Sequence, residues 1–89
     1  MSRELLDQVD ETIQDLDEAG FAEQAETLYS LSYESTWASD GHMERAVGLE
    51  LMRMQSRLEN DLPANVAKGM TRCMEIVRRM YPNLSLAED

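Results

Sequence analysis

The sequence contains little cysteine, glycine or proline, and these shortages already exclude some classes of protein. Cys73 is the only cysteine, so no disulfide can form within the chain, and the reducing cytoplasm is the compartment we expect. The four glycines and two prolines are too few for a Pro- and Gly-rich disordered segment, and hydrophobic residues make up 43% of the chain. This composition is typical of a folded globule.

Long apolar runs are also missing from the sequence. No stretch approaches the ~20 predominantly apolar residues that a membrane-spanning helix requires. The segment Met1-Ser2-Arg3-Glu4 has neither the basic start nor the apolar centre of a signal peptide. We therefore expect no signal peptide and no association with a membrane.

Basic residues are scarce in the first half of the chain. Lys and Arg number 8 against 18 Asp and Glu, which gives a net charge of −10. Residues 1–40 hold eleven acids and one base, whereas residues 41–81 hold five acids and seven bases. Because nucleic-acid phosphates repel an acidic chain, we expect no nucleic acid binding. The acid block is interpreted either as a solvated face or as a surface that imitates nucleic acid.

The length of 89 residues fits a single domain. A chain of this length buries about 60–65% of the surface that its unfolded form exposes, so we expect one modest core and no deep cleft. We assign residues 1–82 to one helical domain and residues 83–89 to a short C-terminal tail, in which Leu84 and Leu86 can fold back onto the core. Self-association is expected to supplement the stability of so small a core.

Apolar residues recur at steps of three and four in four segments, which is the spacing of amphipathic helices. The predicted helices cover residues 2–19, 21 to between 33 and 37, 40–60 and 63–81. Gly20 is expected to stop the first helix, Pro63 to occupy the first position of the last helix, and Pro82 to end it. Because the connections are short, we predict an all-α fold, a four-helix up-and-down bundle of short amphipathic helices.

The apolar stripes of these helices form the predicted core. The seven methionines are more than usual, and core packing is favoured over an exposed binding surface for five that fall on the stripes, Met43, Met54, Met70, Met74 and Met80. Gly48 lies in the middle of the third helix, where it is expected to let a neighbouring helix approach closely.

Residues Asp15 to Glu26 have the spacing of an EF-hand calcium loop, with acids at positions one, three, nine and twelve and Gly20 at position six. However, Ala19 stands where an oxygen ligand is needed, and Ala22 stands where a larger apolar residue normally meets a second loop. We therefore favour a helical hairpin that turns at Gly20. We expect no bound metal and no other cofactor.

Two further sets of residues have the side chains that enzymes use. Ser39, Asp40 and His42 are the types of a catalytic triad, but triad members converge from separate elements, so we favour capping of the third helix. Cys73 lies on the apolar stripe of the fourth helix, and no cationic residue stands three or four positions from it, which indicates a buried, unreactive thiol. We predict that the protein is not an enzyme.

Aromatic residues extend one face of the second helix. Phe21, Ala25, Tyr29, Tyr33 and Trp37 follow each other at steps of four. Tyrosine and tryptophan are common at protein interfaces, because one end of the side chain is apolar and the other hydrogen bonds to water. For Trp37 a place at the end of the core is favoured, whereas burial and an interface are equally open for the two tyrosines.

No motif identifies a family, and three functions remain open. The leading hypothesis is a non-enzymatic protein-protein interaction module that self-associates as a homodimer or binds another protein. The alternative is an acidic inhibitor or immunity-type protein that covers a basic or nucleic-acid-binding site on a target. A small calcium-binding protein or an enzyme ranks last. The candidate partner-binding residues are Tyr29, Tyr33, Trp37, Asp7, Asp10 and Glu11.

Overall fold

The computed structural model describes residues 2–58 and 60–84, and this part of the chain is helical without any strand. The elements are α1 (Arg3–Glu18), α2 (Ala22–Tyr29), a π-helical segment (Ser30–Glu34), α3 (Asp40–Leu58) and α4 (Ala64–Met80). The π-helical segment directly continues α2, and we call it the π-turn. None of the described helices is long and apolar enough to cross a membrane. The predicted all-α bundle is confirmed.

Both ends of α1 are fixed by local hydrogen bonds. The Ser2 hydroxyl accepts a hydrogen bond from the Leu5 N–H at 3.3 Å, which satisfies one of the free donors of the first turn. At the other end Gly20 has a φ of +90°, a conformation that glycine adopts at little cost. The Phe21 N–H then bonds back to the Leu16 carbonyl at 2.9 Å, which closes a Schellman motif. The predicted hairpin turn at Gly20 is confirmed.

The second helix ends within the predicted range but changes its winding on the way. The Ser35 N–H donates to the Ser30 carbonyl, five residues earlier, at 2.9 Å, whereas an α-helix uses a step of four. Ser35 itself is extended, with a ψ of 146°, and so ends the helical segment. The step-of-four ladder predicted from Phe21 to Trp37 is therefore wrong beyond Tyr33, because the π-turn and the extended residues after it change the direction of the side chains.

Contacts between α1 and α4 show that these two helices run antiparallel. Arg79, near the end of α4, reaches Glu4 at the start of α1, with 3.2 Å between the guanidinium and the carboxylate. Further along, Thr12 of α1 meets Cys73 in the middle of α4, with 3.5 Å between Oγ1 and Sγ. The two helices therefore pass each other in opposite directions along their length.

The third helix is also antiparallel to α4. Tyr81, just past α4, donates a hydrogen bond to Glu44 near the start of α3 at 2.9 Å. Gln55 near the end of α3 bonds Thr71 in the first half of α4 at 3.2 Å. Because α2 turns back along α1 at Gly20, the four helices alternate in direction, as predicted for an up-and-down bundle.

The buried core takes side chains from all four helices. Its largest fully buried apolar members are Leu5, Leu16, Leu28, Leu51, Met54, Met70, Val9, Val47, Val66 and Val77. Met54, Met70 and Met74 are buried and Met43 is half-buried, as expected for core residues. The prediction for Met80 is wrong, since its side chain is 37% exposed. Met80 is the last residue of α4, where the facing helix α1 has only just begun.

Gly48 lies where α3 meets α4 and the chain that follows α4. An ideal Cβ atom on this glycine would be 2.8 Å from a methyl group of Val77, closer than carbon atoms pack, and 3.0 Å from one of Leu84, which is a tight contact. The expected close approach at Gly48 is confirmed. Leu84 is half-buried against the core, as anticipated for the tail, whereas Leu86 lies outside the described residues.

The boundaries of the last two helices differ slightly from the prediction. Pro63 has a ψ of 153° and is the N-cap of α4, so the first helical residue is Ala64. The third helix ends at Leu58, and Asn60 already lies in the turn. Both differences lie within the one or two residues by which the assigned ends of helices commonly vary.

A buried carboxylate that the sequence did not reveal joins three segments. The Glu44 side chain is only 6% exposed. One of its oxygens accepts from the Ser2 backbone N–H at 3.0 Å, and the other accepts from the Tyr81 hydroxyl at 2.9 Å. Glu44 therefore ties the start of α1 and the end of α4 to the start of α3, and its two hydrogen bonds offset part of the cost of burial.

Candidate functional site

A groove of about 660 Å³ runs along the hairpin formed by α1, α2 and the π-turn. Its nine lining residues are Asp10, Ile13, Gln14, Asp17, Ala22, Ala25, Glu26, Tyr29 and Tyr33. The α1 members recur at steps of three and one, so they lie on one face of that helix. The α2 members do the same on the opposite wall.

Small side chains create the depression between the two walls. Ala22 and Ala25 occupy positions of α2 where a larger side chain would fill the space, and Ile13 of α1 is only half-buried beside them. The Schellman turn at Gly20 holds α1 and α2 close together, so the groove is shallow and open to solvent. The floor is therefore apolar and accessible.

Two tyrosine rings form one end of the groove. Tyr29 and Tyr33 are 47% and 46% exposed, and they are among the few large apolar side chains of the described residues that water reaches. Their ring centroids are 4.9 Å apart with an interplanar angle of 33°, a spacing at which aromatic rings attract each other. The pair presents a continuous exposed aromatic surface.

The Tyr33 hydroxyl is oriented by a carboxylate from the facing helix. It donates a hydrogen bond to Asp10 Oδ1 of α1. This bond, with smaller contributions from burial and from the charges of nearby carboxylates, raises the pKa of Tyr33 to about 12. The phenol therefore stays protonated at neutral pH and acts as a donor, so the ring is held at the edge of the groove.

The rim of the groove is acidic. Asp10, Asp17 and Glu26 are exposed, and none of the nine lining residues is basic. The groove thus combines an apolar floor, an aromatic end and a negative rim. This arrangement is complementary to a segment that carries apolar and basic side chains together.

Of the predicted partner-binding residues, the structure brings three together in this groove, Asp10, Tyr29 and Tyr33. Asp7 contributes to the negative potential at Tyr33 but pairs with Arg3 at 3.8 Å on the exposed surface. Glu11, together with Asp7, lines a different, smaller groove between α1 and α4. The acids of α1 therefore divide between two sides of the helix and do not form one surface.

Trp37 lies outside the groove. It follows the extended residue that ends the π-turn, and its indole N–H donates to the Leu31 carbonyl at 2.9 Å. The side chain is half-buried, so it covers the end of the helical segment. The structure thus separates Trp37 from the tyrosine pair with which the sequence had grouped it.

Several groove residues were missed by sequence reasoning, in particular Gln14, Asp17, Ala22 and Glu26. A usable signal was present, because residues at similar distances from a hairpin turn lie opposite each other. Counting outward from Gly20 pairs Gln14 with Glu26, each six residues away, and brings Asp17 near Ala22, at three and two residues. Matching residues of α1 and α2 in this way could have identified the two walls of the groove.

The segment that resembles a calcium loop has another structure. Asp15 and Asp17 belong to α1, Glu23 and Glu26 belong to α2, and only three residues separate the two helices. An EF-hand needs twelve residues that wrap around the ion. Within residues 2–58 and 60–84, no three His, Cys, Asp or Glu side chains lie in positions to hold a metal ion.

The other two sets of candidate catalytic residues have structural roles. Ser39 Oγ accepts from the His42 N–H at 3.3 Å and lies 3.1 Å from His42 Nδ1, so the serine caps the exposed first turn of α3. Cys73 is fully buried, and burial raises the pKa of its thiol to about 11. A thiol in this state is protonated and unreactive at neutral pH, as the sequence indicated.

The groove is therefore the surface of the described structure that has the most features of a binding site. It is built from the hairpin between α1 and α2, its aromatic end is fixed by the bond between Tyr33 and Asp10, and its rim is negative. The chain has no significant match among protein-family models, curated proteins or solved structures.

Proposed function

We propose that the protein is a non-enzymatic protein-protein interaction module that self-associates, and that the groove between α1 and α2 is its binding surface. The observation that carries this proposal is the stacked pair Tyr29 and Tyr33, each almost half exposed beside an accessible apolar floor. Exposed tyrosines supply a large apolar contact area and lose little conformational entropy on binding, which is why they are enriched at interfaces.

The chemistry of the groove supports binding rather than catalysis. Its lining consists of carboxylates, phenols, one amide and aliphatic side chains. Serine, threonine, cysteine, lysine and histidine, which most often serve as nucleophile or base in hydrolytic and transfer reactions, are not among these nine residues. Cys73, the chain's only cysteine, is buried away from the groove, and a chain with a single cysteine fits the cytoplasm as the proposed compartment.

The size of the domain also supports self-association. A bundle of this length buries a small core, and contact with a second copy would remove further apolar surface from water. Burial of apolar surface contributes about 25 cal/mol per Å². Covering the two tyrosines would therefore add usefully to the free energy of unfolding, which is only several kcal/mol for a small domain.

Amide NMR spectra of the labelled protein at low and high concentration test the proposal. We expect concentration-dependent shifts at Ile13, Ala25, Tyr29 and Tyr33, and we expect Tyr29→Asp to abolish them. Ser56→Asp, which adds the same charge at an exposed site of α3, serves as the control and should behave like the wild type. Shifts confined to another surface, or none at all, would contradict the proposal.

A second candidate function is that of an acidic inhibitor that covers a basic site on a target protein. The rim acids Asp10, Asp17 and Glu26 favour it, since they lie around an apolar floor without a compensating base among the lining residues. Titration with a Lys- and Arg-rich amphipathic peptide separates the two candidates. Tight, salt-sensitive binding by a protein that stays monomeric would favour the inhibitor.

A further inference from the structure

Large apolar side chains are exposed at only two places in the described part of the chain. Tyr29 and Tyr33 belong to the acidic groove, and Met80 lies at the end of α4 with an exposure of 37%. Arg78 and Arg79 precede Met80 in the last turn of the helix, and both are exposed. We call these three residues, Arg78, Arg79 and Met80, the basic knob.

The basic knob and the acidic groove are complementary in both charge and polarity. The knob offers the Arg78 guanidinium, the Arg79 guanidinium, which also pairs with Glu4 of its own chain, and the flexible apolar side chain of Met80. The groove offers three carboxylates around an apolar floor. Building on the proposed self-association, we infer that the occupant of the groove is the basic knob of a second copy of this chain. Arginine can pair with the rim acids and also stack on a tyrosine ring, while methionine adapts its shape to an apolar floor.

The dimensions of the two surfaces agree. The α1 wall of the groove extends from Asp10 to Asp17, which is about 10 Å at the helical rise of 1.5 Å per residue. A helix with its side chains is about 10–12 Å wide, so the groove accepts the end of one helix and not its whole length. The helix C-terminus carries a partial negative charge, and the two arginines of the knob outweigh it.

A chain cannot place its own knob in its own groove. The groove is lined by α1, α2 and the π-turn, whereas the knob lies on α4, which packs against another side of α1. Arg79 lies beside Glu4, at the start of α1, so the knob is at the opposite end of α1 from Asp17 and Ala22. The contact therefore requires a second molecule, and two such contacts related by a two-fold axis would close a dimer.

Sedimentation velocity on three single variants and one mixture tests this inference. Tyr29→Asp disables the groove, Arg78→Glu disables the knob, and Lys68→Glu is the matched control, because it makes the same charge change on an exposed residue in the first half of α4. We expect each of the first two variants to raise the dissociation constant for self-association by about tenfold or more, since each places like charges or an unpaired charge at the contact. The control should behave like the wild type.

The mixture gives the most specific result. The Arg78→Glu variant keeps an intact groove, and the Tyr29→Asp variant keeps an intact knob. When the two variants are mixed in equal amounts, we therefore expect a heterodimer, although neither variant dimerises by itself. If Arg78→Glu fails to fold by circular dichroism, Met80→Gln takes its place. If the wild type self-associates, the Tyr29→Asp variant does not and the Arg78→Glu variant does, the knob is not the occupant of the groove, although the proposed self-association stands. A wild type that stays monomeric would overturn the proposed self-association as well.

Discussion

The hydroxyl of Tyr33 donates a hydrogen bond to the carboxylate of Asp10, and this bond joins the π-turn to α1 across 23 positions of sequence. It fixes the direction of the Tyr33 ring, against which the Tyr29 ring then stacks. The same carboxylate belongs to the acidic rim of the groove. Asp10 therefore shapes the aromatic end of the groove and also contributes to its charge.

The titration of Tyr33 should report this bond. The pKa of Tyr33 is raised from 10.0 to about 12, chiefly because the protonated phenol donates a hydrogen bond to the Asp10 carboxylate. We expect Asp10→Asn to lower the pKa of Tyr33 toward 10, as measured by ultraviolet difference spectra against Tyr33→Phe. A phenol that titrates at the same pH with and without the Asp10 carboxylate would show that the bond does not persist in solution.

The same shift has a consequence for stability at high pH. Because the raised pKa favours the protonated phenol in the folded state, the contribution of this bond is fully present below pH 10. It is lost as the pH rises through about 12. We expect the wild type to lose its stability advantage over Tyr33→Phe across this window, as measured by urea denaturation at several pH values. An advantage that grows with pH would contradict the assignment.

Gly48→Ala should destabilise the bundle. A Cβ at this position would be 2.8 Å from a Val77 methyl group, and Val77 is buried and β-branched, so it cannot turn away. Overpacking costs about 1–3 kcal/mol, and the higher helix propensity of alanine returns up to about 1 kcal/mol. We expect a net loss of about 1–2 kcal/mol in the free energy of unfolding.

Val77→Ala supplies the control for this prediction. It removes the methyl groups that the new Cβ would meet, although the cavity it leaves is itself destabilising. In the double variant Gly48→Ala/Val77→Ala, the loss in the free energy of unfolding should be smaller than the sum of the losses in the two single variants. Strict additivity would mean that these two residues do not approach each other as closely as the structure has them.

Tyr81→Phe tests the buried carboxylate. It removes the hydroxyl that donates to Glu44 and leaves one oxygen of a buried carboxylate without that partner. A hydrogen bond to a carboxylate stabilises the folded state, so we expect Tyr81→Phe to lower the free energy of unfolding. Tyr29→Phe is the matched control, because the Tyr29 side chain is exposed, and it should change the stability by less than about 0.5 kcal/mol.

Much of the fold could be predicted from the sequence, because local signals determined it. The apolar spacing placed four helices, Gly20 adopts the positive φ expected of a helix stop, and Cys73 is buried where its stripe predicted. Gly48 also marked a close helix contact correctly. Each of these features depends on a residue and its neighbours within one or two turns.

Features that depend on tertiary contacts were not visible in the sequence. The π-turn displaced Trp37 from the tyrosine ladder. No residue between Ser30 and Glu34 predicts that the backbone hydrogen bonds there would span five residues. Glu44 is buried because Ser2 and Tyr81, far away along the chain, supply its donors. The groove likewise arises only when two helices lie side by side, so the regular spacing of its members within each helix did not identify it.

Salt should weaken the proposed self-association. The acidic rim and the basic knob attract each other through charges that lie near solvent, and the screening length falls from about 10 Å at 0.1 M salt to about 3 Å at 1 M. We expect the dissociation constant to rise several-fold over this range, as measured by sedimentation velocity. Association that strengthens with salt would indicate a contact made by apolar groups alone.

The mass of the protein in solution tests the central claim most directly. Size-exclusion chromatography with light scattering should be performed at about 100 µM, where association with a dissociation constant of that order or tighter becomes visible. We expect a mass well above the 10.2 kDa of one chain for the wild type, and a return toward 10.2 kDa for Tyr33→Asp. A wild type that elutes as a 10.2 kDa monomer at this concentration would contradict the account.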